Sequence, residues 1–138
     1  MSQPSGGVIT KVSAYDVDET IRVMLHLLDE QGVTVFSIVD HSGEAQSVGL
    51  EMPNTKLLIF GDPRAGTPMM LTSPLIALDL PLKLLVWDGS DSVTRLSYNA
   101  PAYLSERHHL RLDQSDPLKS IEALSSAVAR VEPGDYSQ

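Results

Sequence analysis

The hydrophobic residues of this 138-residue chain follow two spacings, and each change of spacing marks an element. Residues 7–14 are β-branched and roughly alternating, which predicts a first strand. Asp16 then stands three residues before Glu19, as in a capping box. The helical spacing of the apolar residues after it, closed by Gly32, predicts a first helix over about 17–31. Its apolar face comprises Val17, Ile21, Met24, Leu25 and Leu28.

Four further apolar runs have the length and composition of strands, over 33–40, 56–61, 82–88 and 93–98. The tight turn between the last two predicts an antiparallel hairpin. The middle three predicted strands are apolar at both odd and even positions, so each has two hydrophobic faces.

Three other segments are predicted to be helical. Thr67 followed by a proline is typical of a helix start, so the second helix is expected over 69–78. Pro74 divides that helix into two short pieces or kinks it. A short helix is predicted over 101–110 and a last one over about 116–131.

The predicted order is β-α-β-β-α-β-β-α-α, in a single α+β domain over 7–131 with a flexible leader (1–6) and a tail (132–138). Strands with two apolar faces need cover on both sides of their sheet. Helices can cover one side, and the other needs further helices or a partner subunit. A homodimer is the expectation, because two-fold self-association is the commonest oligomeric form; cover by the chain's own short helices is the alternative.

Composition narrows the possible functions. The absence of cysteine excludes disulfides, thiolate metal sites and a thiol nucleophile. A net charge of −8 argues against binding to nucleic acid or to an anionic membrane. No run approaches the roughly 18 apolar residues of a membrane span, and the first residues do not resemble a signal peptide. A cytoplasmic location is expected.

The stretch Gly61–Pro68 has two glycines between a strand and a predicted helix, a setting in which free N–H groups bind phosphate. It matches only the glycine half of a P-loop, because Thr67 stands where that motif needs lysine. The positive charge of Arg64 would attract an anion, although the negative charge of Asp62 would repel it. A tight turn from strand to helix is the alternative interpretation.

Asp40, His41 and Ser42 are the residue types of a hydrolase triad, but adjacent side chains on a strand diverge. His41 alone is a candidate general base or ligand, because it ends a strand expected to be central, where pockets often open. Asp40 or Asp79 would orient it. A capped loop histidine is the alternative.

Metal-binding signals are weak. His108 and His109 diverge by about 100° on a helix, so a zinc site would need one of them with His41 and a carboxylate. Met69 and Met70 would suit a soft metal, although methionines at a helix start are more often core residues. No metal site or cofactor is assigned.

Asp79 and Tyr98 are further candidate ligand-binding residues because of the residues expected around them. Asp79 lies between apolar residues and would need a partner, either Lys83 or a backbone N–H. Tyr98 and Trp87 lie on adjacent strands, where they would stack, line a cavity or pack in the core.

Several of these stretches together resemble the family known as domain of unknown function number 302. The resemblance extends over about 7–110 and rests on five stretches: Val39–His41, Leu57–Pro63, Gly66–Met70, Leu78–Trp87 and Tyr98–Asn99. It implies a TBP-like α+β domain, with helices on a mostly antiparallel, curved five-stranded sheet, that forms dimers. It implies no reaction, substrate or catalytic residue.

The leading hypothesis is a homodimeric domain that binds a small ligand or acts as an accessory to another protein. Its candidate ligand-binding residues, expected to converge, are His41, Arg64, Met69, Met70, Asp79 and Tyr98. One alternative is an enzyme that uses His41 as general base on a small substrate. Another is a purely structural protein-interaction domain, which would have no cavity and a large exposed apolar patch.

Overall fold

The computed structural model describes residues 5–111 and 116–130, so most of the predicted leader and all of the predicted tail lie outside the described residues. All five strands form one antiparallel sheet in the order β1-β5-β4-β3-β2. They are β1 (Val8–Val12), β2 (Thr34–Asp40), β3 (Thr55–Gly61), β4 (Leu82–Asp88) and β5 (Thr94–Asn99). The predicted α+β class, single domain and antiparallel sheet are confirmed.

Five α-helices and three short 3₁₀ segments connect and cover the strands in the described part of the chain. The helices are α1 (Val17–Glu30), α2 (His41–Ser47), α3 (Pro63–Thr72), α4 (Pro101–Arg107) and α5 (Ser120–Val128). The 3₁₀ segments are Ser5–Gly7, Pro74–Leu78 and Asp116–Lys119. Within residues 5–111 and 116–130, no helix combines the length and the hydropathy that crossing a membrane requires.

The first helix forms as its sequence predicts. Asp16 caps it, since its Oδ1 accepts the backbone N–H of Glu19 at 2.8 Å and satisfies one of the free donors of the first turn. Gly32 follows the helix with a φ of 69°, a left-handed conformation that costs glycine little. The helix crosses the whole sheet, because β1 and β2 lie at opposite edges.

The main hydrophobic core lies between one face of the sheet and the helices α1 and α5. Alternate strand residues point to this face, because side chains in a strand alternate between its two sides. The sheet contributes Leu58, Phe60, Leu84, Val86, Leu96 and Tyr98; α1 contributes Val17, Ile21, Met24 and Leu28; α5 contributes Ile121, Leu124 and Val128. Each of these side chains stabilises the fold by about 1.5–3 kcal/mol when fully buried.

A second, smaller core lies at the end of the sheet where β3 ends and β4 begins. Met69 of α3, Ile76 of the 3₁₀ segment, Leu104 of α4 and Leu118 are buried together there. It holds four short helical pieces together at one end of the sheet, since Leu118 belongs to the 3₁₀ segment Asp116–Lys119.

The other face of the sheet, called here the open face, carries no fully buried hydrophobic side chain among the described residues. Leu57, Ile59, Leu85 and Trp87 alternate with core residues on the central strands and remain only partly buried. The apolar pattern that predicts two hydrophobic faces is therefore present, and described helices cover one of them.

Two details of the sequence interpretation are wrong. The strand before His41 is an edge strand rather than a central one, because β2 pairs only with β3. The second helix begins at Pro63 rather than after Thr67, since Asp62 caps it and proline suits its first turn. Pro68 lies inside α3. The helix ends at Thr72 and Pro74 begins a separate 3₁₀ segment, so the prediction that Pro74 divides this region into two short pieces is confirmed. Between the predicted elements, the connection after Asp40 forms a short helix, α2, because the Asp40 carboxylate accepts the Gly43 N–H.

Candidate functional site

An apolar cavity of about 320 Å³ lies beside α3, between that helix, the adjoining ends of β3 and β4, and the start of α5. A cavity of this size holds a small organic molecule. Its apolar lining comprises Phe36, Phe60, Met69, Met70, Leu80, Pro81, Leu82, Leu118 and Leu124. An apolar molecule is the kind of ligand that such walls stabilise.

The helix α3 forms one wall of the cavity because of its local sequence. Asp62 and Pro63 start the helix directly after β3, so its second turn brings Ala65 and Gly66 over the strand end. Gly66 leaves space there, because the nearest atom to an added Cβ is Leu80 Cδ1, at 3.6 Å. A larger side chain at this position would occupy part of the cavity.

Polar groups are few around the cavity. Asp62 is one of the lining residues, and its carboxylate pairs with Arg64, whose Nε lies 3.0 Å from Oδ1. The Arg64 side chain and backbone N–H lower the pKa of Asp62, which therefore stays ionised. Thr67 also lines the cavity, and its hydroxyl has no hydrogen-bond partner among the described residues.

Phe36 lies at the edge of the cavity because of an irregularity in β2. The pairing with β3 shifts between Val35 and Ser37, so Phe36 is the extra residue of a β-bulge. Its ring is 52% exposed, and Cε2 would lie 3.6 Å from a Cβ added at Gly61. The bulge therefore places an aromatic ring between solvent and the cavity.

Only some of the predicted ligand-binding residues line the cavity. Met69 and Met70 both line the cavity, Met69 fully buried and Met70 partly so. Arg64 belongs to the first turn of the same helix but extends into solvent, with its side chain 80% exposed. The two methionines are thus the predicted residues placed to contact a molecule in the cavity.

Asp79 lies one residue before the cavity wall and points elsewhere. Its Oδ2 lies 2.5 Å from Nε2 of His108 and 2.9 Å from Nη1 of Arg107. The predicted partner Lys83 instead donates to the Pro81 carbonyl at 3.0 Å. Asp79 therefore joins the end of the 3₁₀ segment to the end of α4, and the expectation about Lys83 is wrong.

Tyr98 is buried under α5 and does not line the cavity. Its hydroxyl donates to the Glu122 carboxylate, and burial followed by that contact raises the pKa of Tyr98 above its ordinary value. Trp87 lies on the open face, where its Nε1 donates to Ser97 Oγ at 2.9 Å. The two rings are thus on opposite faces of the sheet and do not stack.

His41 lies at the other end of the sheet from the cavity. Asp40 pairs with Lys56, whereas Gly61, next to α3, pairs with Thr34. Lys56 and Gly61 are five residues apart along β3, which is about 17 Å. The predicted convergence of His41 with the Gly61–Met70 stretch is therefore wrong, and so is a zinc site shared by His41 and His108.

A polar cleft lies at the His41 end. Lys56 Nζ lies 2.8 Å from Asp18 Oδ1, and this bond, with one from Asn54, lowers the pKa of Asp18. The Asp40 carboxylate accepts the Gly43 N–H and the Ser42 hydroxyl, which lower its pKa. Neither carboxylate holds His41, whose exposed ring has no hydrogen bond among the described contacts. Across residues 5–111 and 116–130, no three acidic or histidine side chains are grouped as metal ligands.

Several residues that line the cavity could not be predicted from the sequence. Phe36 faces the cavity because of the bulge, and the chain shows no signal for that bulge. Leu80, Pro81 and Leu118 come from connections that meet only in the folded chain. The turn-like composition of the Gly61–Met70 stretch was the one signal that pointed to this region.

The chain is similar to three proteins of Brucella named as fluoride-specific ion channels. It is 36% identical over 129 residues to FluC 1 of Brucella suis biovar 1 (strain 1330), covering 94% of this chain and 51% of the relative. The identity is also 36% for FluC 2 of Brucella melitensis biotype 1 (strain ATCC 23456 / CCUG 17765 / NCTC 10094 / 16M), of which 48% is covered. The chain therefore spans about half the length of these relatives.

The fold is similar to that of a solved structure, the uncharacterized conserved protein DUF302 from Bacillus stearothermophilus. The TM-score is 0.74, with 91% of this chain and 97% of that chain covered. The sequence identity is 19%, so this similarity concerns the fold alone.

A family model described as "Domain of unknown function DUF302" matches residues 9–129, which include every strand except the first residue of β1. The described fold, the solved structure and the resemblance carried by the motifs agree with that match. The chain belongs to the DUF302 family of domains of unknown function.

Proposed function

We propose that this domain binds a small apolar molecule in the cavity beside α3, and that it does so as a homodimer. The observation that carries the proposal is the cavity itself, about 320 Å³ of space with walls that are mostly aliphatic, aromatic or methionine side chains. Removing an apolar ligand from water into such a space is favourable by about 25 cal/mol per Å² of apolar surface buried. Empty apolar space, by contrast, leaves its lining without contacts.

Binding of 1-naphthylamine, a neutral fluorophore of the size that the cavity can hold and whose emission changes in apolar surroundings, tests the proposal. The native chain should bind the fluorophore saturably with a stoichiometry of one per subunit. Gly66→Leu should abolish binding, because the new side chain points toward Leu80 and fills the cavity. Ala127→Leu is the matched control, since Ala127 is exposed on α5 and does not line the cavity. Equal binding by both variants would contradict the proposal.

The open face supports the dimer. Leu57, Ile59, Leu85 and Trp87 form a partly buried apolar surface across the central strands, and a second copy of the chain would cover it. The cavity lies by the opposite, helix-covered face, so dimerisation leaves it free. This arrangement is the homodimer expected from the apolar pattern of the strands.

A second candidate function is that of an accessory to a fluoride-specific ion channel. The three Brucella relatives carry that name, and the matched region is about half of each relative. We propose that the channel activity belongs to the other half and that the present domain docks beside it. Leu71, Leu75 and Leu78 supply a docking surface, because they lie close in sequence and are 70–78% exposed.

Fluoride tolerance of cells distinguishes the two functions. Deleting the coding sequence in the organism that carries it should lower the fluoride concentration that arrests growth, with chloride as control. The native chain should restore tolerance, whereas a variant with Leu71→Ser, Leu75→Ser and Leu78→Ser should not. The cavity-filling Gly66→Leu variant should restore it. Unchanged tolerance after deletion would contradict the accessory function.

A further inference from the structure

The polar groups around the cavity indicate what kind of apolar molecule it holds. Besides Asp62 and Thr67, the side chains that line it are apolar apart from Ser120, whose hydroxyl donates to the Pro117 carbonyl at 3.1 Å. The Thr67 hydroxyl is different, because no described group bonds it. Thr67 is an exposed residue, so its hydroxyl is open to water, and no fully buried side-chain donor or acceptor lacks a partner in the described residues.

An unpaired hydroxyl on an apolar wall favours a ligand that supplies its partner. A hydroxyl both donates and accepts, so it pairs equally with a carbonyl, an ether or another hydroxyl. A wholly apolar ligand would cover Thr67 and remove its water without replacing that hydrogen bond, which costs free energy. The lining therefore favours a ligand with one hydrogen-bonding group over a pure hydrocarbon.

The charge at the cavity disfavours anionic ligands. Asp62 is a lining residue with an ionised carboxylate, whereas the Arg64 side chain that pairs with it does not line the cavity. An anionic head group at Thr67 would approach the Asp62 carboxylate without a described cation lining the cavity to offset it. Fatty acids and other organic anions are thus disfavoured.

We infer that the ligand is a neutral, mainly apolar molecule with on the order of ten non-hydrogen atoms and one hydrogen-bonding group, which pairs with the Thr67 hydroxyl. The size follows from the cavity volume of about 320 Å³, the space of about ten waters in the liquid. This inference rests on the proposed function, because it names the ligand class of the same cavity.

Three probes with one ring system test the inference: naphthalene, 1-naphthol and 1-naphthoate, titrated by their own fluorescence. Native protein should bind 1-naphthol most tightly, naphthalene more weakly and 1-naphthoate weakest. Thr67→Val keeps the shape of the side chain and removes the hydroxyl. It should therefore weaken the binding of 1-naphthol by about three- to tenfold and leave the affinity for naphthalene unchanged. Thr72→Val is the control on the same helix, since Thr72 bonds the Pro68 and Met69 carbonyls and does not line the cavity.

Asp62→Asn tests the charge, and asparagine is as good a helix cap as aspartate. This variant should bind 1-naphthoate several-fold more tightly than native protein. Asp91→Asn is the matched control, because Asp91 also pairs with an arginine, Arg95, but away from the cavity. An equal gain in both variants would overturn the charge argument.

The remaining outcomes separate this inference from the proposed function. If naphthalene and 1-naphthol bind equally and Thr67→Val changes neither affinity, the cavity is a binding site but the assigned ligand class is wrong. If none of the three probes binds and 1-naphthylamine also fails to bind, the proposed function itself is overturned and the inference with it.

Discussion

Asp79 and His108 are 29 positions apart in the chain, and their side chains meet with 2.5 Å between Oδ2 and Nε2. Asp79 ends the 3₁₀ segment Pro74–Leu78, and His108 ends α4. The contact therefore joins two short helical elements that also share the second core through Ile76 and Leu104. Both side chains are nearly buried, 14% exposed for Asp79 and 6% for His108.

Asp79→Ala should destabilise the fold by about 1.5–3 kcal/mol, because it leaves the buried His108 ring without its charged partner. Asp91→Ala is the control, since it breaks an exposed arginine pair and should lower the free energy of unfolding by clearly less than Asp79→Ala does. Urea unfolding of both variants measures the difference. Equal losses would show that the Asp79–His108 contact contributes no more than a surface ion pair.

Tyr98 should make stability fall in alkaline solution. Its pKa is raised in the folded protein, first by burial and then by the Glu122 carboxylate, so the native state keeps a proton that the unfolded chain loses near pH 10. The free energy of unfolding therefore declines above that pH by at most about 1.4 kcal/mol per pH unit from this group. Tyr98→Phe removes the contribution, so unfolding of native and variant protein from pH 8 to 11 should show a steeper decline for the native chain. Parallel curves would contradict the assignment.

Local signals explain how much of the fold can be predicted. The capping box at Asp16, the helical spacing of α1 and the tight turn before β5 each act within a few residues, and the structure has these elements close to the predicted bounds. Asp62 carries a similar local signal, but Thr67 and Pro68 offer a competing one further along. The helix α3 begins at the earlier of the two signals, because Asp62 and Pro63 follow the strand directly.

Long-range pairing explains what could not be predicted. The edge position of β2 depends on β1 joining β5, a contact between residues about 90 positions apart, and no local pattern encodes it. That position places His41 at the far end from α3, which separates the candidate residues. Met69 and Met70 both line the cavity because they are adjacent on a single helix, a local relationship that the sequence does encode.

Two glycines in helices should respond oppositely to alanine. At Gly66 an added Cβ meets Leu80 Cδ1 at 3.6 Å, an ordinary contact, so Gly66→Ala should stabilise the fold by about 0.5–1 kcal/mol through helix propensity. At Gly43 it would lie 2.5 Å from Asp40 Oδ2, and the carboxylate that caps α2 would have to move. Gly43→Ala should therefore give no gain or a loss of up to about 1 kcal/mol. Thermal unfolding measures both, and an equal gain in both would contradict the geometry at Gly43.

The open face should control self-association. Leu85 lies at its centre, on β4 between Leu57 and Ser97, so Leu85→Lys would place a charge in the middle of the proposed dimer interface. Burying an unpaired ammonium is costly, and the dimer should dissociate at concentrations about a hundredfold higher than for the native chain. Leu75→Lys is the control, because Leu75 is 71% exposed on the 3₁₀ segment rather than on the sheet. Sedimentation equilibrium measures the association, with thermal unfolding to verify that both variants fold. A native chain that stays monomeric at about 100 μM, well above the dissociation constants of stable dimers, would show that the apolar open face does not serve self-association.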